Sequence, residues 1–299
     1  MSRCHVALGI YGLENLFGGD FTKVIDVVAQ ADAAGIDQMV MTDHVVMGTR
    51  TDRYPYGRFP SPPETPWYEP IVALSAFAAV TSSIRLSTSV LIGPLRPAAL
   101  LAKQAATLDV ISGGRLDLGV GTGWQREEYE ASGLPFEGRG QRLEDQLRAC
   151  QILWRDAPAS FRSDTVSFDD IYCRPAPVQE GGIPLWFGMA PSPRNAKRIA
   201  ELGVGWLPIT SEPEAVAQGA GKLCEAFSAA GRDPAELKIR AGLPLRMGDD
   251  KRPSLKQTLA GLDAMLDAGV THVEVLPFMF CRKPEDIGPC LERIAKLKG

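Results

Sequence analysis

Apolar runs of strand length alternate with segments whose apolar residues recur at helical spacing. The runs cover residues 5–10, 37–42, 84–91, 115–121, 183–188, 203–208, 238–247 and 271–277. In the first helical segment Val24, Val27, Val28 and Ala31 share one face, and the pattern stops at Ala34-Gly35, where a glycine suits a helix C-terminus. Further helices are predicted over 71–81, 98–111, 142–154, 195–201, 214–230, 255–268 and 284–297. Strands that alternate with helices imply right-handed βαβ units and a parallel sheet covered by helices. Eight such units fit a closed (β/α)8 TIM barrel of the α/β class, one domain over residues 1–299. An open dinucleotide-binding sheet would carry GxGxxG at the opening of its first helix, and that motif is missing here.

Two insertions break the rhythm, one after strand 2 and one before strand 5. Residues 46–69 mix Arg50, Arg53 and Arg58 with Tyr54, Tyr56, Phe59, Trp67, Tyr68 and five prolines. They form either a lid over a ligand or a proline-stiffened surface loop. Residues 156–182 contain SFRSDTVSFDDIYCRPAPV, which reads as a short extended hairpin.

On a barrel, chemistry belongs at the C-terminal ends of the strands. The second strand ends in Thr42-Asp43-His44. A carboxylate beside an imidazole suits polar recognition and proton transfer, which makes Asp43 and His44 the catalytic candidates. The alternative is a loop-capping Asp43 and a packed His44. In the third strand Ser87, Thr88 and Ser89 interrupt a run that should be continuously apolar. That pattern implies a polar neighbour, a bulge, or hydroxyls satisfied locally. The fourth strand, RLDLGV, runs into Gly121-Thr122-Gly123 and then Trp124. Glycines there either admit a ligand close to the backbone or make a tight turn. After the fifth strand, Gly188-Met189-Ala190-Pro191-Ser192-Pro193 leads into a helix whose first N–H groups suit an anion, or are simply capped by Ser192.

Composition narrows the chemistry. A net charge of −4 argues against nucleic acid or an anionic membrane surface as partner. Six scattered cysteines without a CxxC pair suit a reduced, cytoplasmic protein. The first residues lack a signal-peptide pattern, and no apolar stretch has transmembrane length. The three histidines, His5, His44 and His272, form no HxH or HxxxH pair, so no metal site is expected. No lysine ends a strand, and no GxSxG or P-loop occurs. Side chains for acid–base work are so sparse that a cofactor is expected to supply the chemistry for a small-molecule substrate.

Three blocks, MTDHV, STSVLIGPLRPAALLAKQAATLDVISGGR and GGRLDLGVGTGWQREEYEASGLPFEGRG, give the chain its resemblance to the bacterial luciferase-like monooxygenase family. It is most similar to the branch that uses coenzyme F420, over essentially its whole length. The resemblance implies a (β/α)8 barrel holding a deazaflavin or flavin at the strand ends, with Asp43 and His44 beside the ring. It also implies a third-strand bulge at Thr88, Ser89 and Val90, where a non-proline cis peptide matched by Ser89–Val90 buttresses the ring. Gly121, Thr122 and Gly123 then flank the ring, with Trp124 as a pocket wall. Gly188, Met189, Ala190 and Ser192 match the phosphate site, although Met189 stands where a second glycine is common.

The implied cofactor is coenzyme F420, with FMN as the alternative. The first implies an oxidoreductase that moves a hydride between the deazaflavin and an organic substrate. The second implies an FMN-dependent monooxygenase that uses O2 and reduced flavin from a partner reductase. A non-catalytic flavin-binding barrel is a third reading, and a homodimer is the family's usual state. Arg50, Arg53, Arg58, Arg126, Arg139 and Arg142 either line a basic groove for the acidic deazaflavin tail or form ion pairs, Arg142 with Glu144 and Asp145. In the family's sugar-phosphate dehydrogenase a tryptophan four residues after the histidine and a glutamate after GTG are catalytic. Gly48 and Trp124 occupy those positions here, so that activity is not expected.

Overall fold

A computed structural model describes residues 4–298. The strands are β1 (His5–Gly9), β2 (Gln38–Met41), β3 (Arg85–Thr88), β4 (Leu91–Ile92), β5 (Leu116–Gly121), β6 (Ala159–Arg162), β7 (Ser167–Ile171), β8 (Leu185–Phe187), β9 (Gly205–Trp206), β10 (Lys238–Gly242) and β11 (His272–Val275). Leaving out β6 and β7, they form one parallel sheet in the order β3-β2-β1-β11-β10-β9-β8-β5-β4, and pairing of β3 with β5 closes it. Both β3 and β4 pair with β5, as two halves of one stave broken at Ser89-Val90. The result is the closed eight-stave parallel barrel that the alternation predicts.

The surrounding helices are α1 (Thr22–Ala33), α2 (Pro70–Val80), α3 (Ala98–Ser112), α4 (Arg126–Ala131), α5 (Arg139–Arg155), α6 (Pro193–Leu202), α7 (Pro213–Ala229), α8 (Leu255–Leu259), α9 (Leu262–Asp267) and α10 (Ile287–Ala295). Helix α1 buries the face formed by Val24, Val27, Val28 and Ala31, as its spacing requires. None of the described helices is long and apolar enough to cross a membrane.

The departures from the predicted elements have local causes. The helix expected over 255–268 divides into α8 and α9 at Ala260-Gly261, where glycine weakens the helical run. The strand expected over 238–247 stops at Gly242, two residues before Pro244, and the one expected over 203–208 is regular only at Gly205–Trp206, ahead of Pro208. Proline has no N–H to extend a ladder. Helix α4 falls outside the helices that the spacing predicts, because its inward face is Glu128 and Tyr129 rather than an apolar stripe. Of the insertions, 156–182 does form an antiparallel hairpin, β6 with β7, whereas 46–69 is irregular apart from one 3-10 turn at Thr51–Arg53.

Ser87 owes its place to a polar layer inside the barrel. Arg240 on β10 reaches across to Gln38 Oε1 at 2.6 Å on β2 and to Ser87 Oγ at 2.9 Å on β3, with Glu274 at 3.3 Å. Gln38 in turn donates to Asp117 at 2.7 Å, and Arg85 holds Asp117 with two nitrogens at 2.7 and 2.8 Å. Burial raises the Glu274 carboxyl and lowers the Arg240 guanidinium, and the charge each presents to the other opposes both shifts. This layer closes the barrel below the ends of the strands, where the site is built.

Candidate active site

The site begins at the break in the third stave. Thr88 Oγ1 donates to the Gly119 carbonyl at 2.6 Å, fixing β3 to β5, and the next peptide, Ser89–Val90, is cis. Val90 then nests over two glycines. A Cβ on Gly121 would lie 2.7 Å from Val90 Cγ2, and one on Gly188 would lie 2.5 Å from Val90 Cγ1. Both distances are far inside van der Waals contact, so both positions require glycine while Val90 stays where it is.

Around this nest lies a cavity of about 280 Å³ at the C-terminal ends of the strands. Ser89, Val90, Gly121, Thr122, Gly123, Trp124 and Gly188 line it. Tyr54 and Tyr56 from the 46–69 insertion and Leu207, Pro208 and Ile209 after β9 complete the wall. Its lining residues are glycines, apolar and aromatic side chains and the hydroxyl-bearing Ser89, Thr122, Tyr54 and Tyr56, with no charged residue among them. Burial raises the Tyr54 phenol above its ordinary range, so it remains a neutral donor. Such a slot suits a planar, largely uncharged ring system with a few hydrogen-bonding atoms.

His44 stands beside this cavity without lining it. Its ring lies 4.6 Å from that of Trp67, 5.8 Å from Phe59 and 6.3 Å from Trp124, measured between centroids. Trp124 is therefore shared between the histidine's aromatic surroundings and the cavity wall. His44 Nδ1 is 3.1 Å from Glu128 Oε2, and Glu128 Oε1 accepts the Val45 N–H at 3.0 Å. The Glu128 side chain is wholly buried.

Asp43 is engaged differently from the expectation that it works at the ring. Its Oδ2 accepts the Ile92 N–H at 2.8 Å and Arg96 Nη1 at 2.7 Å, and its Oδ1 accepts Arg96 Nη2 at 3.0 Å. Arg96 also donates to Glu69 at 2.8 Å, and Glu69 caps α2 through Val72 N–H at 2.7 Å. The carboxylate ties the end of β2 to β4 and α2, and it is not part of the cavity wall.

Thr88 is likewise buried away from the cavity, its hydroxyl used by Gly119. At the fifth-strand turn only Gly188 reaches the cavity. Met189 and Ala190 face an adjoining hollow of about 280 Å³ with Tyr56, Trp206, Ile209 and residues of α7, among them Lys222. Ser192 caps α6, its Oγ accepting the Asn195 N–H at 3.3 Å, so ordinary capping accounts for it. The proposed basic groove is mostly neutralised. Arg50 pairs with Asp52, Arg53 with Glu127 and Arg126 with Glu137, while Arg139 lies over the Phe136 ring at 3.7 Å. Arg142 donates to the Pro135 carbonyl at 2.9 Å rather than to Glu144 or Asp145.

The structure thus gathers the glycine turn, the bulge and Trp124 into one pocket and sets His44 at its edge. Sequence reasoning missed Glu128, Arg96 and Gln125. Gln125 clamps the base of the insertion by accepting the Gly48 N–H at 2.7 Å and donating to the Gly48 carbonyl at 3.2 Å. The aromatic content of 46–69 was the available signal for Tyr54, Phe59 and Trp67.

Comparison with known proteins adds to this geometry. Residues 6–272 match the luciferase-like monooxygenase family. An uncharacterised protein of Mycobacterium tuberculosis is 34% identical over 227 residues, covering 76% of this chain and 75% of that protein. The FMNH2-dependent dimethylsulfone monooxygenase of Pseudomonas putida is 32% identical over 142 residues, 46% of this chain and 38% of that one. Among solved structures, the coenzyme F420-dependent tetrahydromethanopterin reductase of Methanopyrus kandleri superposes with a TM-score of 0.73 at 18% identity, covering 99% of this chain and 97% of that one.

Proposed function

The chain belongs to the luciferase-like monooxygenase family, and from that premise we propose that it is a coenzyme F420-dependent oxidoreductase acting on a small organic molecule. One observation supports this most: Val90 nests on Gly121 and Gly188 and backs a slot with no charged residue in its wall. Those glycines let Val90 pack close against the backbone, and the uncharged slot it backs fits a flat ring. Ser89, Val90, Gly121, Thr122, Gly123 and Gly188 would hold the ring. Met189, Ala190 and Pro191 face the hollow where the acidic tail would leave, with Lys222 as a cation there.

When bound, the deazaflavin supplies a two-electron hydride donor or acceptor. The chain's own residues do the rest. His44 gives or takes the proton that accompanies the hydride at the substrate. Trp124 and Tyr54 wall the slot and keep water from it. Asp43 and Arg96 hold the end of β2, so that His44 is presented at a fixed place.

The test is the cofactor itself. Protein purified from a deazaflavin-producing host is expected to carry a species with the mass and spectrum of F420. Its reduced form is expected to be oxidised by substrate without consuming O2. Co-purification of FMN, with O2 consumed when reduced FMN is supplied, would instead support the monooxygenase reading, which the similarity to the dimethylsulfone monooxygenase favours.

A further inference from the structure

We propose that Glu128 is the positioning residue that decides which nitrogen of His44 exchanges a proton at the site. The inference rests on the proton-transfer role given to His44 above. Its structural core stands on the geometry of the pair alone.

Glu128 sits on the short helix α4, a few residues after the glycine turn that walls the cavity. Its carboxyl group is enclosed, and both oxygens are used. Oε1 faces the Val45 backbone N–H at 3.0 Å, a group that can only donate. Oε2 faces His44 Nδ1 at 3.1 Å. With Glu128 held as a carboxylate, as the proposal requires, Oε2 has no proton to offer and the hydrogen between Oε2 and Nδ1 belongs to the histidine. In the neutral imidazole Nε2 then keeps its lone pair, and it is the nitrogen that can take a proton from a substrate hydroxyl or return one.

The same carboxylate grips two consecutive residues, His44 by its ring and Val45 by its backbone. The imidazole therefore cannot turn about its Cβ–Cγ bond without breaking the contact to Oε2. Because α4 continues directly from Gly121-Thr122-Gly123-Trp124, the wall of the slot and the orientation of the histidine are set by one segment of chain. The charged group next to Glu128 in sequence, Glu127, faces outward to Arg53 at 3.4 Å. Ring–carboxylate pairing of this kind is a general way of fixing a histidine's tautomer and orientation.

The inference is read out by the tautomer, which can be measured without cofactor or substrate. With three histidines in the chain, His5, His44 and His272, 15N-labelled histidine gives a spectrum that a His44→Gln variant assigns. In the wild-type protein Nδ1 of His44 is expected to show the shift of a protonated nitrogen and Nε2 that of an unprotonated one. In Glu128→Gln the amide oxygen keeps the Val45 N–H, and the amide nitrogen then donates to Nδ1, which moves the hydrogen to Nε2. The two 15N shifts should exchange, and Glu128→Asp should restore the wild-type order. In turnover, Glu128→Gln should lower kcat by about 100-fold or more, the scale of a lost general base, while leaving cofactor affinity within about twofold.

A wild-type His44 protonated on Nε2, or a Glu128→Gln spectrum with unchanged order, overturns the proposal. The wild-type spectrum alone decides the first point, even where the variant folds poorly. Exchanged shifts in a protein that shows no F420 chemistry would leave Glu128 as the positioning residue and remove the proposed reaction instead.

Discussion

Asp43 and Arg96 form a buried bidentate ion pair, with nitrogen–oxygen distances of 2.7 and 3.0 Å, at the point where β2 delivers His44 to the site. The pair sits beside the cavity, and its energy goes into the shape of the strand end. Removing only the arginine leaves a carboxylate with one backbone N–H in place of three donors.

Arg96→Met should therefore destabilise the protein by about 3–5 kcal/mol, the usual penalty for orphaning one member of a buried pair. Asp43→Asn should cost less, because the amide oxygen can still accept the Ile92 N–H. Urea denaturation of both variants checks the order. Loss of under 1 kcal/mol in Arg96→Met would show that the pair does not hold the strand end.

Gly188→Ala places a methyl group 2.5 Å from Val90 Cγ1. Overpacking of that size costs about 1–3 kcal/mol, which appears as a roughly 5- to 150-fold weaker cofactor complex if Val90 is displaced into the slot. The double variant Gly188→Ala/Val90→Ala should regain most of the affinity by making room. Fluorescence titrations of the wild-type protein and both variants give the coupling; additive losses would separate Val90 from the binding surface.

Gln125→Ala removes both hydrogen bonds to Gly48 and with them the clamp at the base of the 46–69 insertion. Amides within 46–69 are expected to exchange hydrogen faster, with KM raised more than kcat is lowered. Protection in the hairpin β6–β7, which Gln125 does not touch, should stay the same. Unchanged exchange in 46–69 would place the restraint elsewhere, on the aromatic packing of Tyr54, Phe59 and Trp67.

His272 supplies a pH dependence at the opposite end of the barrel. Burial first, then the charges of His5, Arg240 and Lys238, push its pKa down from 6.5 to about 3. The unfolded chain takes up this proton before the fold does, so the stabilisation is complete above about pH 6.5 and falls as pH drops toward about 3. Between pH 7 and pH 5 the loss from this group is about 2 kcal/mol. Glu274, whose carboxyl is raised by burial, contributes a slope of opposite sign in any variant that retains it. Stability curves against pH for the wild-type protein and His272→Asn should diverge by that amount over this range, and parallel curves would contradict the assignment.

Much of the barrel was legible because its information is local. Val24, Val27, Val28 and Ala31 mark a helix face within one window, and Leu116, Leu118 and Val120 mark a strand. The pocket was legible in part for a related reason: close approach of backbone to backbone demands glycine, and Gly121 and Gly188 stand out in any reading. The ties around Asp43 and His44 were not. Arg96 lies 53 positions from Asp43, and Glu128 lies 84 from His44. Each pair meets only because two strand-end loops converge, which no periodicity encodes. Helix α4 hid for the same reason, since Glu128 faces inward amid an acidic run in which Glu127 and Glu130 do not.

Binding of the coenzyme decides the proposed function most directly. Purified wild-type protein is titrated against oxidised coenzyme F420 and, separately, against FMN, and the fluorescence of each is followed to saturation. A deazaflavin complex with a micromolar Kd, and FMN binding at least about tenfold weaker, is the expected result. Saturable binding of FMN with no response to F420 at comparable concentrations would contradict it.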